Sequence, residues 1–298
     1  MVVSHMINVR MFIKKALSLL GLESRTAYEK IGMWSIHKAV NQSGLYPLVE
    51  RLRKIAPDIS DQASSEKDTF NEYLEVKRRA LQAFQCSLML KHVKSIDSKK
   101  ITVADIGDSA GTHMLYLREL TKDRFSIDTI SVNLDARAIE KIRQRGFKAI
   151  LCRAEELDLG DQHVDFFTSF QMVEHLHNPA IFFRRLAKKS KTDKMIITVP
   201  YLRASRVGLH QIRYKTNKKI RAEEEHIFEL SPQDWTLLFL HGGWKVIHSQ
   251  IHYQYPQRWT IISLLLKLFW RHSDFEGFWG VILEKDPTVS DLYQDWEE

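Results

Sequence analysis

The sequence predicts an α/β fold: a parallel sheet with helices on both faces, preceded by a helical extension. Two observations carry this. Residues 101 to 199 alternate apolar β-type runs with helical patterns at βαβ spacing, which demands parallel strands. Residues 103 to 111, V-A-D-I-G-D-S-A-G, break a buried strand into a glycine turn that enters a helix at Thr112, as in nucleotide-cradling loops. Upstream, Met6 to Leu20, Tyr28 to Val40, Leu45 to Ile55 and Asp68 to Val93 read as helices, with a linker near 62–67. Residues 1–96 are thus expected as a helical extension and 97–298 as a cofactor-binding domain. A closing strand pair is expected at Trp244 to Gln250 and Phe278 to Leu283, after a helix capped by Ser231-Pro232 and ended by Gly242-Gly243.

Each βα junction carries a candidate site residue. After the first strand come Asp105, Gly107, Ser109 and Gly111. The dinucleotide fingerprint G-x-G-x-x-G would need glycines at 109 and 112, where Ser109 and Thr112 stand, so hydride-transfer chemistry is excluded. The second strand, in D-T-I-S-V-N-L-D (128 to 135), ends in Asp135, which suits two ribose hydroxyls or a helix N-cap, and the two roles can coexist. The third strand, Lys148 to Cys152, runs into R-A-E-E-L, where Ala154 and Glu155 offer an adenine pocket or form a solvated acidic turn. The fourth strand, Val164 to Ser169, leads through Gln171 to Glu174 and His175, before a helix opened by Pro179.

These motifs, in this order, resemble the S-adenosylmethionine-dependent methyltransferases of Rossmann-like fold. M-V-E-H-L-H-N-P (172 to 179) is similar to the "vlEHl-x-dP" signature of their small-molecule O-methyltransferase branch, with its ubiquinone-pathway and sugar-modifying relatives. The resemblance covers about residues 100 to 285 and implies a seven-stranded, mostly parallel sheet. It implies cofactor contacts from Asp105, Gly107, Ser109, Gly111, Asp135, Ala154, Glu155 and Gln171. Ser109 replaces the middle glycine of D-x-G-x-G-x-G, and Arg153 stands where an acid is usual.

Composition narrows the class. Of 298 residues, 44% are apolar, and the two cysteines, Cys86 and Cys152, form neither a disulfide framework nor a metal-ligand spacing, which suits a cytoplasmic protein. No run reaches the ~18 apolar residues of a membrane span, and residues 1–22 lack a signal-peptide cleavage pattern. The net charge of +7 concentrates in an acid-free run from Arg203 to Arg221, inside a basic insertion at 201–228. That run reads as a lid over an anionic acceptor or as a solvated loop. An apolar insertion at 256–275 contains W-T-I-I-S-L-L-L-K-L-F-W, which reads as a peripheral membrane contact or as a core or dimer helix.

A methyl acceptor with a hydroxyl group needs a general base, and histidine suits that task near neutral pH. His175 is the first candidate by position, His226 the second and His210 the third. No metal is assigned. The N/D-P-P-Y/F clamp of base-amino methyltransferases is absent, since S-F-Q-M follows the fourth strand, and this argues against nucleic acid. The expectation is O-methylation of a small or carrier-linked anionic acceptor, such as a sugar in bacterial surface glycan biosynthesis. An RNA methyltransferase and a catalytically degenerate cofactor-binding scaffold are the alternatives.

Overall fold

The computed structural model describes residues 24–62, 70–213, 219–221, 224–258 and 260–293. The expected helix at Met6 to Leu20, most of the linker, and Lys215, Lys218 and Trp259 lie outside the described residues. Three helices come first: α1 (Ser24–Gln42), α2 (Tyr46–Ile55) and α3 (Glu72–Val93). The sheet region follows with β1 (Lys100–Ile106), α4 (Thr112–Thr121), β2 (Ser126–Asn133), α5 (Ala136–Gln144), β3 (Lys148–Leu151), β4 (Phe166–Phe170), α6 (Pro179–Lys189) and β5 (Lys194–Tyr201). A short antiparallel ribbon, β6 (Arg206–Val207) with β7 (Phe228–Glu229), brackets α7 (His210–Arg213). Last come α8 (Pro232–His241), β8 (Trp244–Tyr253), α9 (Ile261–Ser273) and β9 (Gly277–Lys285).

The seven strands lie in the order β3-β2-β1-β4-β5-β9-β8. The first five are mutually parallel, and β9 runs antiparallel between β5 and β8. This matches the expected sheet and closing pair. Local chemistry sets the boundaries: Asn71, Asp135, Asn178, Ser231 and Thr260 each accept a backbone N–H at a helix N-terminus.

The core lies on both faces of the sheet. One side packs Phe182, Phe183, Trp235, Phe239 and Trp244. The other packs β1, β5 and β9 against α3 through Phe84, Leu88, Met89 and Val93, in a cluster that also takes in Val49 and Leu52 of α2 and Trp270 of α9. The N-terminal helices therefore share one core with the sheet. Phe84 and Leu88 sit so close to β9 that a Cβ at Gly280 would fall 2.5 Å from Leu88 Cδ1. A buried chain of side-chain hydrogen bonds extends the junction. Tyr116 donates to Gln82, Gln82 to Gln62, and Gln62 to Thr112 at the start of α4.

Candidate active site

Between β1 and β4 the strand order reverses, and at such a switch point adjacent loops diverge and leave a crevice at the C-terminal strand ends. A cleft of about 770 Å³ opens there, reaching the ends of β1, β2 and β4 at Ile106, Val132 and Phe170. The glycine loop forms its floor. Gly107 has φ +93°, a conformation that strains any residue with a Cβ, and a Cβ there would lie 2.5 Å from Met172 Cγ and 2.8 Å from Met172 Cβ. The loop is held by Asp108, which sequence reasoning passed over. Its Oδ1 accepts the N–H groups of Ala110 and Gly111, and its Oδ2 accepts the Ser131 hydroxyl at 2.6 Å.

Gly107, Ser109, Asp135, Ala154, Glu155, Gln171 and His175 all line this cleft. Asp105 and Gly111 do not. Asp105 is buried behind the loop, where Oδ1 accepts the Thr168 hydroxyl at 2.8 Å and Oδ2 has no partner among the described residues. Burial, then the neighbouring Asp108, raises its carboxyl well above the usual range. A neutral Asp105 that shapes the loop from beneath fits this position better than a ligand contact. Gly111 is the left-handed N-cap of α4. Asp135 caps α5, one of its two expected roles, and lines the cleft, with Arg137 paired to Oδ2 at 3.0 Å. Hydrogen bonds from Arg137 hold its carboxylate below the ordinary range. Gln171 has φ +54° and donates from Nε2 to the Thr198 hydroxyl at 3.2 Å.

One wall has no signal in the motifs. Gln62 and, on α3, Arg78, Leu81, Gln82 and Gln85 face the cleft. Gln85 is buried, donates to the Thr198 hydroxyl at 2.9 Å, and accepts from His113 Nε2 at 2.8 Å.

His175 lies in a 3-10 turn after β4, where its Nδ1 meets the Glu225 carbonyl at 3.0 Å. Because a carbonyl only accepts, this contact puts a proton on Nδ1 and the lone pair of the neutral ring on Nε2. His226 stands behind it outside the cleft lining, edge-on with ring centroids 4.7 Å apart, and is itself stacked on Phe275. Burial alone would lower the His226 pKa; the hydrogen bond to Glu229 and the charges of Glu174 and Glu229 raise it instead. Glu174 is fully buried, both of its carboxylate oxygens lack a hydrogen-bond partner among the described residues, and burial pushes its pKa up to about 7. No metal was assigned from sequence, yet ligand atoms of Glu174, His175 and His226 lie within 4.8 Å of one another and could hold a cation. Glu174 and His175 are adjacent but His226 lies 51 positions beyond His175, and no local spacing reveals such a group.

The basic run departs from the expected lid. Arg206 is paired with Glu229, Arg203 lies 3.5 Å from Glu276, and Arg213 donates to the carbonyls of Gly208 and Val207. Arg206 and Arg203 thus tie the insertion to residues outside it, while Arg213 closes contacts within the insertion itself. Arg221 does line the cleft, together with Arg78, Arg137 and Arg153. His210, at the start of α7, lies outside the lining.

A cleft at the switch point of a seven-stranded sheet, with a glycine loop below and carboxylates at successive strand ends, is the geometry of a nucleotide-cofactor site. Residues 69–249 match the family model described as a methyltransferase domain, and the chain belongs to that family, the S-adenosylmethionine-dependent methyltransferases. No curated protein matches the sequence. Among solved structures, a geranyl diphosphate methyltransferase in complex with GPP and sinefungin is similar at 13% identity and TM-score 0.51, over 78% of this chain and 93% of the other. A protein assigned as a sarcosine dimethylglycine methyltransferase from Galdieria sulphuraria is similar at 14% identity and TM-score 0.50, over 80% and 98% of the two chains. At these identities the likeness speaks for the fold.

Proposed function

We propose that the cleft binds S-adenosylmethionine and that His175 takes the proton from a hydroxyl acceptor during methyl transfer. The observation that carries this reading is that Asp135, Glu155 and His175 line one and the same cleft. The lining suits the cofactor: Gly107 packs directly on Met172 in the loop at the end of β1, the Asp135 carboxylate can accept from ribose hydroxyls, and Ala154 with Glu155 offers a backbone N–H and a carboxylate to an adenine edge. When bound, S-adenosylmethionine supplies a methyl group already activated on a sulfonium. The protein then has to position the acceptor and accept its proton. With Nδ1–H committed to the Glu225 carbonyl, His175 has Nε2 as its basic nitrogen. Arg78, Arg153 and Arg221 give the cleft a cationic rim, which favours a phosphate or carboxylate on the acceptor. A sugar of a surface-glycan precursor on a lipid carrier has both the hydroxyl and the phosphate.

Turnover of such acceptors by wild type and His175→Ala tests this reading, with cofactor affinity measured by calorimetry. Loss of turnover with retained affinity is expected; retained turnover removes His175 from the role. A second reading is favoured by the unpartnered Glu174 carboxylate, which would find its partner in a divalent cation shared with His175 and His226. Elemental analysis separates the two. Stoichiometric metal that disappears in Glu174→Ala would make His175 a ligand and end its role as a base.

A further inference from the structure

We propose that α9 docks the protein on an anionic lipid bilayer, with its apolar face in the headgroup region. Soluble helices bury their apolar stripe, but here a second stripe faces solvent. Ile261, Ile262, Leu264, Leu265 and Leu268 are 79, 55, 57, 59 and 41% exposed, while the opposite side, Ser263, Leu266 and Trp270, sits in the body of the protein. Five large aliphatic side chains on one exposed helix form a contiguous patch of the kind that marks an interaction surface. The helix has 13 residues, too short to span a bilayer but long enough to lie along one.

Charge selects the occupant. α9 contains no acid; the exposed Arg258 precedes it and Lys267 lies within it, while Arg271 in its last turn is paired with Glu276 at 2.8 Å. α1 packs beside it through Tyr28 on Phe269 and through the Trp270 indole N–H to the Ser35 hydroxyl. α1 also exposes Ile31 and Trp34, together with Arg25, Lys30 and Lys38. Its only acid, Glu29, is engaged by Arg25 and by the Asn71 amide. Aliphatic side chains flanked by cations and free of unpaired acids complement the acyl boundary and phosphates of an anionic leaflet.

Position gives the docking a purpose. α9 connects the end of β8 to the start of β9, where Tyr253 and Gly277 lie in register with Tyr201 at the C-terminal end of β5. The helix therefore sits at the same edge of the sheet as the cleft. Two residues past α9, Phe275 stacks on His226, which abuts His175. A bilayer held by α9 would bring a membrane-borne acceptor to the edge of the sheet that carries the histidines.

Co-sedimentation of the full chain with vesicles tests this, and no cofactor or acceptor is needed, so failure here leaves the proposed chemistry standing. Vesicles of phosphatidylglycerol and phosphatidylcholine should bind the protein at least tenfold better than phosphatidylcholine alone, and added salt should reduce the difference. A triple variant, Ile261→Gln, Leu264→Gln and Leu265→Gln, alters only exposed side chains, so it should melt as wild type does and bind at least tenfold more weakly. Equal binding by the triple variant would place the contact elsewhere and overturn the proposal. Absence of vesicle binding would do the same, as would sedimentation of wild type as a dimer that the triple variant dissociates without any vesicle binding.

Discussion

Replacing Gly107 with alanine tests the cleft floor by two separable effects. The first is conformational: at φ +93° a Cβ meets its own backbone, which costs about 1–2 kcal/mol. The second is steric: the new methyl would lie 2.5 Å from Met172 Cγ and 2.8 Å from Met172 Cβ. The Met172 Cβ is fixed by its backbone, so the side chain cannot simply swing aside, and overpacking of this kind costs roughly 1–3 kcal/mol. Together they predict a loss of about 2–5 kcal/mol, a fall in melting temperature of ~5 °C or more. Gly146→Ala is the control, because Gly146 has φ +77° with nothing within 4 Å of the added Cβ; it should show the conformational cost alone. Adding Met172→Ala to Gly107→Ala removes the Cγ contact but keeps the Cβ at 2.8 Å, so it should restore only part of the steric cost, about 1 kcal/mol relative to the sum of the single effects. Calorimetry on the same proteins should show weakened S-adenosylmethionine binding for Gly107→Ala and unchanged binding for Gly146→Ala. The reasoning fails if the two glycine variants melt together, or if Met172→Ala restores nothing.

Asp135→Ala should weaken cofactor binding by about 1.5–3 kcal/mol, the worth of hydrogen bonds to a charged group, and calorimetry reads it directly. His175→Ala should lower turnover by ~10²- to 10⁴-fold with cofactor affinity intact, as measured with a hydroxyl acceptor. Burial lowers the pKa of His92, His113 and His252 to about 4 from 6.5, so the unfolded chain binds protons that the folded chain refuses. Their contribution should be constant above pH 6.5 and should fall as the pH drops toward 4, by up to ~1.4 kcal/mol per pH unit for each histidine. Urea midpoints at pH 7.5, 6 and 5 check this, and His252→Gln should flatten the slope if it folds as wild type does.

The sheet was legible because parallel strands buried on both faces leave near-continuous apolar runs, as in Met195 to Val199, and because glycines and caps mark their ends. The cleft residues closest to those strand ends were legible for the same reason: Gly107, Asp135, Glu155 and His175 follow β1, β2, β3 and β4 in turn. Asp105 and Asp108 are chemically alike and three residues apart, and only their burial and partners show which one ties the loop. The α3 wall was not legible, because Arg78 and Gln85 lie well before the first motif and reach the cleft only through tertiary packing. The same holds for the basic run, whose partners Glu229 and Glu276 are distant in the chain.

α3 is a wall of the cleft and a part of the core at once. Arg78, Leu81, Gln82 and Gln85 look into the cleft, while Phe84 and Leu88 grip β9 around Gly280. Gln82 and Gln85 belong to both sides, because they also bond to Gln62 and Tyr116 and to Thr198 and His113 in the body of the protein. A change at either glutamine therefore reaches α4 or β5 as well as the cleft, so the shape of this wall and the seating of the helix move together.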